Sequence, residues 1–342
     1  MKNFAAFLFV LICVYSCSNG KNIPDVSGIK IKLDVQRFDK DFFTMDTSNI
    51  ENSLTQLQKK YPTFLNDFLY NILALPPQPD SAAATVKMFI HDYKAIYDSA
   101  QLVFTSTEKM QQEIEKGLQF VQYYFPAYKL PEYVITFIGP MEGFANVFTS
   151  SGLAVGLQLY LGKSFEVYHS DYINEVYPAY QSRRFEPEYI PVNCIKNIID
   201  DIYPETNADM PLAYQMIEAG KRLYLLDKLL PETADSLKTG YTQSQLNGCY
   251  ENEAMIWNYF VQNNLLYAND PASVRDYMTD GPKTEILGDA SPGFIGQFVG
   301  WQIIKRWVQL KPTITPEQLL KIPAKQIFEE AWRYERDYFY DP

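Results

Sequence analysis

Histidine is scarce in this chain of 342 residues: only His91 and His169 occur, and neither stands in an H-x-x-x-H or H-x-E spacing. Two imidazoles one helical turn apart let a single helix grip a metal ion, so no such metal site is expected. Each histidine is read as structural. Other signatures of reaction chemistry are missing too, since no G-x-S-x-G elbow, P-loop or G-x-G-x-x-G is present. Adjacent acids, Asp200 with Asp201 and Glu251 with Glu253, could act as acid and base. Acids on amphipathic helices ordinarily form a solvated face, and that reading is preferred. The chain is therefore expected to be no enzyme, with no catalytic residue, no metal and no cofactor.

The cysteines point to a different chemistry. Lys2 is followed by an apolar run from Phe4 to Tyr15, which is signal-peptide architecture. A membrane-spanning helix needs about 20 apolar residues, and no second such run follows. Val14-Tyr15-Ser16-Cys17 puts a small residue immediately before a cysteine, which resembles the lipobox of signal peptidase II substrates. Cleavage before Cys17 would leave residues 1–16 as signal peptide and 17–28 as a lipidated terminus and polar tether. A single domain is expected over 29–342. Two or three acyl chains on Cys17 would anchor it essentially permanently. Cys194 and Cys249 could pair in an oxidising compartment, but a buried free cysteine is equally ordinary in a core, and spacing alone cannot supply the separation a disulfide needs.

The elements that would position any site follow from periodicity. Ile29 to Val35 alternates apolar and polar residues, as a half-buried strand does. Apolar residues recur at three and four over 49–57, 64–75, 82–104 and 109–124, with breaks at Pro62 and the Pro76-Pro77-Gln78-Pro79 turn, which predicts helices. The runs 132–138, 145–149 and 153–160 are β-rich and separated by Gly139-Pro140 and Ser150-Ser151-Gly152, which suggests a small antiparallel meander. Helices resume over 192–203, 210–230, 250–264, 293–310, 316–320 and 325–338. The expected fold class is α+β, predominantly helical with one small antiparallel sheet.

Three stretches of the second half go further. Gln215-Met216-Ile217-Glu218-Ala219-Gly220-Lys221-Arg222-Leu223-Tyr224, then Trp257-Asn258-Tyr259-Phe260 with Leu265-Leu266-Tyr267, then Ser291-Pro292-Gly293-Phe294-Ile295-Gly296 with Gly300-Trp301, resemble signatures of GldB. GldB is a family of gliding motility lipoproteins of the Bacteroidetes. Arg37-Phe38-Asp39 and Tyr160-Leu161-Gly162 fit the same family, so the resemblance spans the mature chain. It implies an envelope lipoprotein associated with gliding and with the neighbouring secretion machinery. The order of elements also looks similar to zincin-type predicted zinc peptidases. Asn193-Cys194-Ile195-Lys196-Asn197 stands where such enzymes carry H-E-x-x-H, so the arrangement would be a degenerate one without its metal.

Candidate pocket or structural residues are accordingly Glu218, Lys221, Tyr224, Gly293, Gly296, Gly300 and Trp301. Glu218 and Lys221 are spaced for an i,i+3 ion pair, worth a few tenths of a kcal/mol if exposed, and Glu218→Gln would then leave stability unchanged. The three glycines would let one helix approach another closely, with Gly296→Leu forcing the two apart. Trp301, Trp307 and the tyrosines over 168–180 could line a groove, though core packing is preferred.

The net charge is −11, which argues against nucleic acid, since phosphate binding needs a basic surface. The partners expected are a membrane reached through the lipid anchor and proteins of the cell envelope. The periplasmic side is favoured, with the outer membrane ahead of the inner. The alternatives are a hydrolase with an atypical site and a glycan- or peptide-binding module.

Overall fold

The computed structural model describes residues 23–76, 79–205 and 210–339. Cys17 lies outside them, as do Cys13 and the rest of the leader and most of the tether. Val26, placed in the expected tether, is already in the core at 1% exposure. The body therefore takes hold before Ile29. Gln119 secures this segment by donating to the Ile29 carbonyl.

The first strand, β1 (Asp34–Gln36), is followed by six helices: α1 (Phe38–Phe43), α2 (Ile50–Lys60), α3 (Phe64–Asn66), α4 (Pro79–Asp92), α5 (Lys94–Val103) and α6 (Glu108–Tyr124). A π-helical turn, Asp67–Ile72, continues α3. The apolar run over 82–104 forms two helices rather than one. Tyr93 breaks it because its ring stacks on Phe89 at 4.3 Å and its hydroxyl accepts the Met141 N–H.

Three more strands follow, β2 (Tyr133–Phe137), β3 (Asn146–Thr149) and β4 (Gly152–Gly156), in the spatial order β1-β2-β4-β3. The sheet is mixed rather than an antiparallel meander. Only β3 and β4 form an antiparallel hairpin, while β2 runs parallel to both β1 and β4. The reason lies in the connection after β2. The Gln158 side chain accepts from Gly139 N–H and donates to the Pro140 and Phe144 carbonyls. So held, the chain is carried past β4 to the far edge instead of turning back beside β2. Residues 157–159, expected to extend β4, form a short 3-10 turn.

The remaining helices are α7 (Asp171–Val176), α8 (Ala179–Ser182), α9 (Tyr189–Ile202), α10 (Leu212–Leu229), α11 (Asp235–Thr239), α12 (Gln243–Glu251), α13 (Glu253–Gln262), α14 (Pro271–Met278), α15 (Ile295–Gln309), α16 (Pro316–Lys321) and α17 (Ala324–Phe339). Local chemistry sets several boundaries. Thr242 with Gln245, and Thr315 with Gln318, form capping boxes at α12 and α16, and Pro271 and Pro316 occupy first-turn positions.

A cluster of rings, Phe38, Phe42, Phe64, Phe68 and Phe137, joins α1 and α3 to the sheet, with centroids 4.8–6.2 Å apart where they meet. The buried Asp39 carboxylate ties the same region together. It accepts from Arg37, Gln101 and Thr136, while Arg37 Nη1 reaches the Phe104 carbonyl at 3.1 Å. α9 packs on β3, α6 on α9, and the pair α10 and α15 completes the other side of the body.

Candidate functional site

α10 is the axis of the helical half. Leu212, Ala213, Met216, Ile217, Gly220, Leu223, Leu225, Leu226 and Leu229 are all buried, so this helix is enclosed on more than one face. Its tightest neighbour is α15. A Cβ on Gly300 would lie 1.6 Å from the Met216 carbonyl oxygen, and one on Gly220 would lie 2.2 Å from the Gly300 carbonyl carbon. The two backbones touch where each chain offers a glycine. Gly220 was within the motif that drew notice but was not singled out. The signal was there, because a glycine inside a long helix costs about 1 kcal/mol relative to alanine and needs a packing reason.

The expected stripe of three glycines divides among three neighbours. Gly293 precedes α15, and a Cβ there would meet Gly281 N at 2.4 Å. Gly296 faces Met278 of α14, whose Sδ would be 2.3 Å away, with Met216 Cγ of α10 at 3.2 Å. Only Gly300 meets the α10 backbone. The difference arises because Phe294 takes a left-handed φ of 55° and starts the helix at Ile295, leaving Gly293 outside its repeat.

Glu218 and Lys221 do pair, at 2.9 Å, but in the interior: their side chains are 7% and 1% exposed. The expectation of an inexpensive surface pair is therefore corrected. Lys221 Nζ also donates to the Ile322 carbonyl at 2.7 Å and to Tyr203 Oη at 3.2 Å, and that hydroxyl donates to Glu218 Oε2 at 2.5 Å. Lysine has three protons to give, and each has an acceptor. Burial pulls the Lys221 ammonium below its ordinary range, against the hydrogen bond and charge of Glu218, and burial with Glu218 pushes Tyr203 up. The arrangement closes on itself, and both carboxylate oxygens of Glu218 are engaged.

Trp301 belongs to a second closed group. Its Nε1 donates to Asp227 Oδ2 at 2.7 Å, and Lys238 Nζ bridges Asp227 and Asp235 at 2.6 and 2.8 Å. Lys305 lies over the indole face. Trp301 is fully buried, as is Trp307 at 2% exposure. Tyr224 is half-buried under Lys228, and burial raises its hydroxyl to about 12. Of the tyrosines over 168–180, Tyr168 is buried and bonded to the Gln158 carbonyl, whereas Tyr172 is exposed.

Asp200, Asp201 and Trp301 do not converge with Glu218 on one cleft. Asp200 pairs with Arg222, and Asp201 accepts from Tyr128 Oη at 2.7 Å. Asn193 of α9 donates to Tyr160 Oη at 2.8 Å. Among the described residues no group of three or more His, Cys, Asp or Glu is placed to hold a metal. Cys194 and Cys249 are both free and buried, so the disulfide reading is not realised. Cys194 accepts from Asn146 beside β3, while Cys249 sits in α12, and burial lifts each thiol to about 12. A cleft of about 500 Å³ lies instead between the end of α2 and the β3–β4 hairpin, bordered by Lys60, Tyr61, Lys129, Tyr133 and Phe148.

The glycine-crossed helix pair, the Arg37–Asp39 knot and the Tyr160–Gly162 turn are positions at which the sequence resembled GldB. A family model described as gliding motility protein GldB matches residues 19–335. The chain belongs to this family. GldB here thus names a lipoprotein family whose match runs from before Val26 into α17. No curated protein and no solved structure matches the chain. Among the described residues no helix is long and apolar enough to cross a membrane.

Proposed function

We propose that this GldB-family chain is a non-enzymatic envelope lipoprotein, held to a membrane by acyl chains on Cys17 and acting on gliding and its associated secretion machinery through protein partners. The observation that carries the reading is the closed state of Glu218 and Lys221. A general base needs an oxygen free to take a proton from water or substrate, and here both oxygens serve Lys221 and Tyr203. The periplasm-facing side of the outer membrane is the favoured location.

The test is complementation of a strain lacking the protein, with melting temperature measured on the same variants. Under this reading cellular function follows stability and localisation across Glu218→Gln, Lys221→Met and Gly300→Ala. A Glu218→Gln protein that is folded and normally localised yet inactive would reinstate the hydrolase. About one zinc per chain surviving dialysis against a weak chelator would do the same. Labelled palmitate should enter wild type and not Cys17→Ser, and equal labelling would sink the anchor.

A second reading, a module that binds a glycan or peptide, draws on the cleft beside α2. Tyr133 and Phe148 on its border are 37% and 39% exposed, and partly exposed aromatics suit such ligands. Tyr133→Ala that abolishes function without loss of stability would favour it.

A further inference from the structure

The cleft beside α2 has walls that are tied together. Ser150 at the tip of the β3–β4 hairpin donates to Asp67 Oδ2 at 3.2 Å, and Ser151 shares a hydrogen bond with Thr63. Both bonds join the hairpin to the chain that follows α2, so the walls are set before any ligand arrives. The volume of about 500 Å³ is ordinary for a small-molecule site, where about 300–1,000 Å³ is usual. Strand register explains what stands inside. Val134 pairs with Leu153, and Gly152 with Thr149, so Gly152 lies beside Tyr133 on the neighbouring strand. Its φ of 120° is a conformation open to glycine. Having no side chain, Gly152 leaves one flank of the tyrosine ring uncovered, and Tyr133 is 37% exposed although it belongs to an inner strand.

The polar groups around this ring suit hydroxyls. Lys129 and Glu132 line the cleft, are exposed and make no ion pair among the described residues, whereas Lys60 is committed to Asp41. Gln36 has only a long contact with Asp34, at 3.5 Å, which leaves its amide for another partner. A free carboxylate accepts from neighbouring hydroxyls, and an ammonium and an amide supply donors. The aromatic face takes the apolar side of a sugar ring. The two free charges are opposite in sign, which favours a neutral ligand over an anion. A peptide fits less well. Strand addition needs a strand edge, and Tyr133 and Gly152 belong to β2 and β4, the two inner strands of the sheet.

We propose that this cleft binds a neutral oligosaccharide, with one sugar ring laid on Tyr133 and its hydroxyls met by Glu132, Lys129 and Gln36. Phe148, 39% exposed on the border, offers an apolar surface to the next ring. This inference rests on the second reading above and names its ligand.

Calorimetric titration of the full chain with maltotetraose, cellotetraose and tetra-N-acetylchitotetraose tests the site. Saturable binding of at least one is expected. Tyr133→Ala should weaken it about tenfold or more with little change in melting temperature, and Tyr133→Trp should retain it. Glu132→Ala, at an exposed position, serves if the Tyr133 variant fails to fold, and should weaken binding about fivefold or more. Failure of all three sugars to bind saturably, or equal binding by wild type, Tyr133→Ala and Glu132→Ala, overturns the proposal. A hexapeptide of alternating valine and threonine that binds in their place, and is lost in Tyr133→Ala, also overturns the saccharide while keeping the second reading. Sugar binding lost in Tyr133→Ala, with full complementation by that variant, has the opposite meaning: the site stands and the second reading falls.

Discussion

α9 and α10 pack against each other and treat charge in opposite ways. On α10, Lys221 gives all three protons to acceptors and Glu218 gives both oxygens to donors. On α9, Lys196 has Arg184, Asp200 and Asp280 as its charged neighbours but makes no hydrogen bond among the described residues. Buried charge is tolerated when it is paired and hydrogen-bonded, so the first arrangement reads as architecture. The second leaves an ammonium among charges of both signs without a hydrogen bond of its own. A perturbed ammonium alone would not separate the two, since burial lowers both lysines.

The sharpest way to break this contrast is at the crossing that fixes α10. Gly300→Ala places a methyl group 1.6 Å from the Met216 carbonyl, where backbone cannot yield. We expect a loss on the order of 3 kcal/mol or more by chemical denaturation. Gly296→Ala should lose less, because its nearest obstacle is the flexible Met278 side chain. Equal losses at the two positions would mean that the helices do not cross at Gly300.

Next in size is the closed pair itself. Lys221→Met strands the Glu218 carboxylate in the interior and should cost about 3–5 kcal/mol. Glu218→Gln keeps an acceptor for Lys221 and should cost about 1–3 kcal/mol. If Lys221→Met melts with wild type, the group is more hydrated than the structure has it, and the distinction between α9 and α10 falls. Lys196→Met, by contrast, removes no hydrogen bond, and at neutral pH it should stay within about 0.5 kcal/mol of wild type or exceed it.

How much of this could be read from the chain differs between the two helices. The apolar spacing and proline breaks located α10 and α15 to within two residues at each end, Phe294 delaying the start of α15. The spacing of Glu218 and Lys221 also announced their pairing. Its burial was not legible, because it depends on the Ile322 carbonyl and Tyr203, which lie beyond any local period. Strand positions were readable from β-branched runs, whereas their parallel pairing hangs on Gln158 gripping the loop after β2. The charged surroundings of Lys196 were not legible for the same reason. Arg184, Gly240 and Asp280 belong to separate loops, and only the fold brings them to one place. Cys17, the residue the sequence argued hardest, lies outside the described residues.

The smallest effect tests the burial of Lys196 by the sign of a slope. Lys196 loses its proton at about 8 when folded, against an ordinary 10.5 when unfolded. Between those values the unfolded chain holds a proton that the folded chain has released, so this group makes stability rise with pH. Below about 8 both states are protonated, and the contribution is unfavourable and flat. Cys194 and Cys249 act the other way, since folding lifts each thiol from 9.0 to about 12 and the folded chain retains protons that the unfolded chain loses. Wild type alone would therefore mix opposing slopes. The difference in unfolding free energy between wild type and Lys196→Met cancels the thiols, and it should rise with pH above about 8. A difference that falls with pH would mean that the charged form of Lys196 is favoured by folding, and that burial does not govern this ammonium.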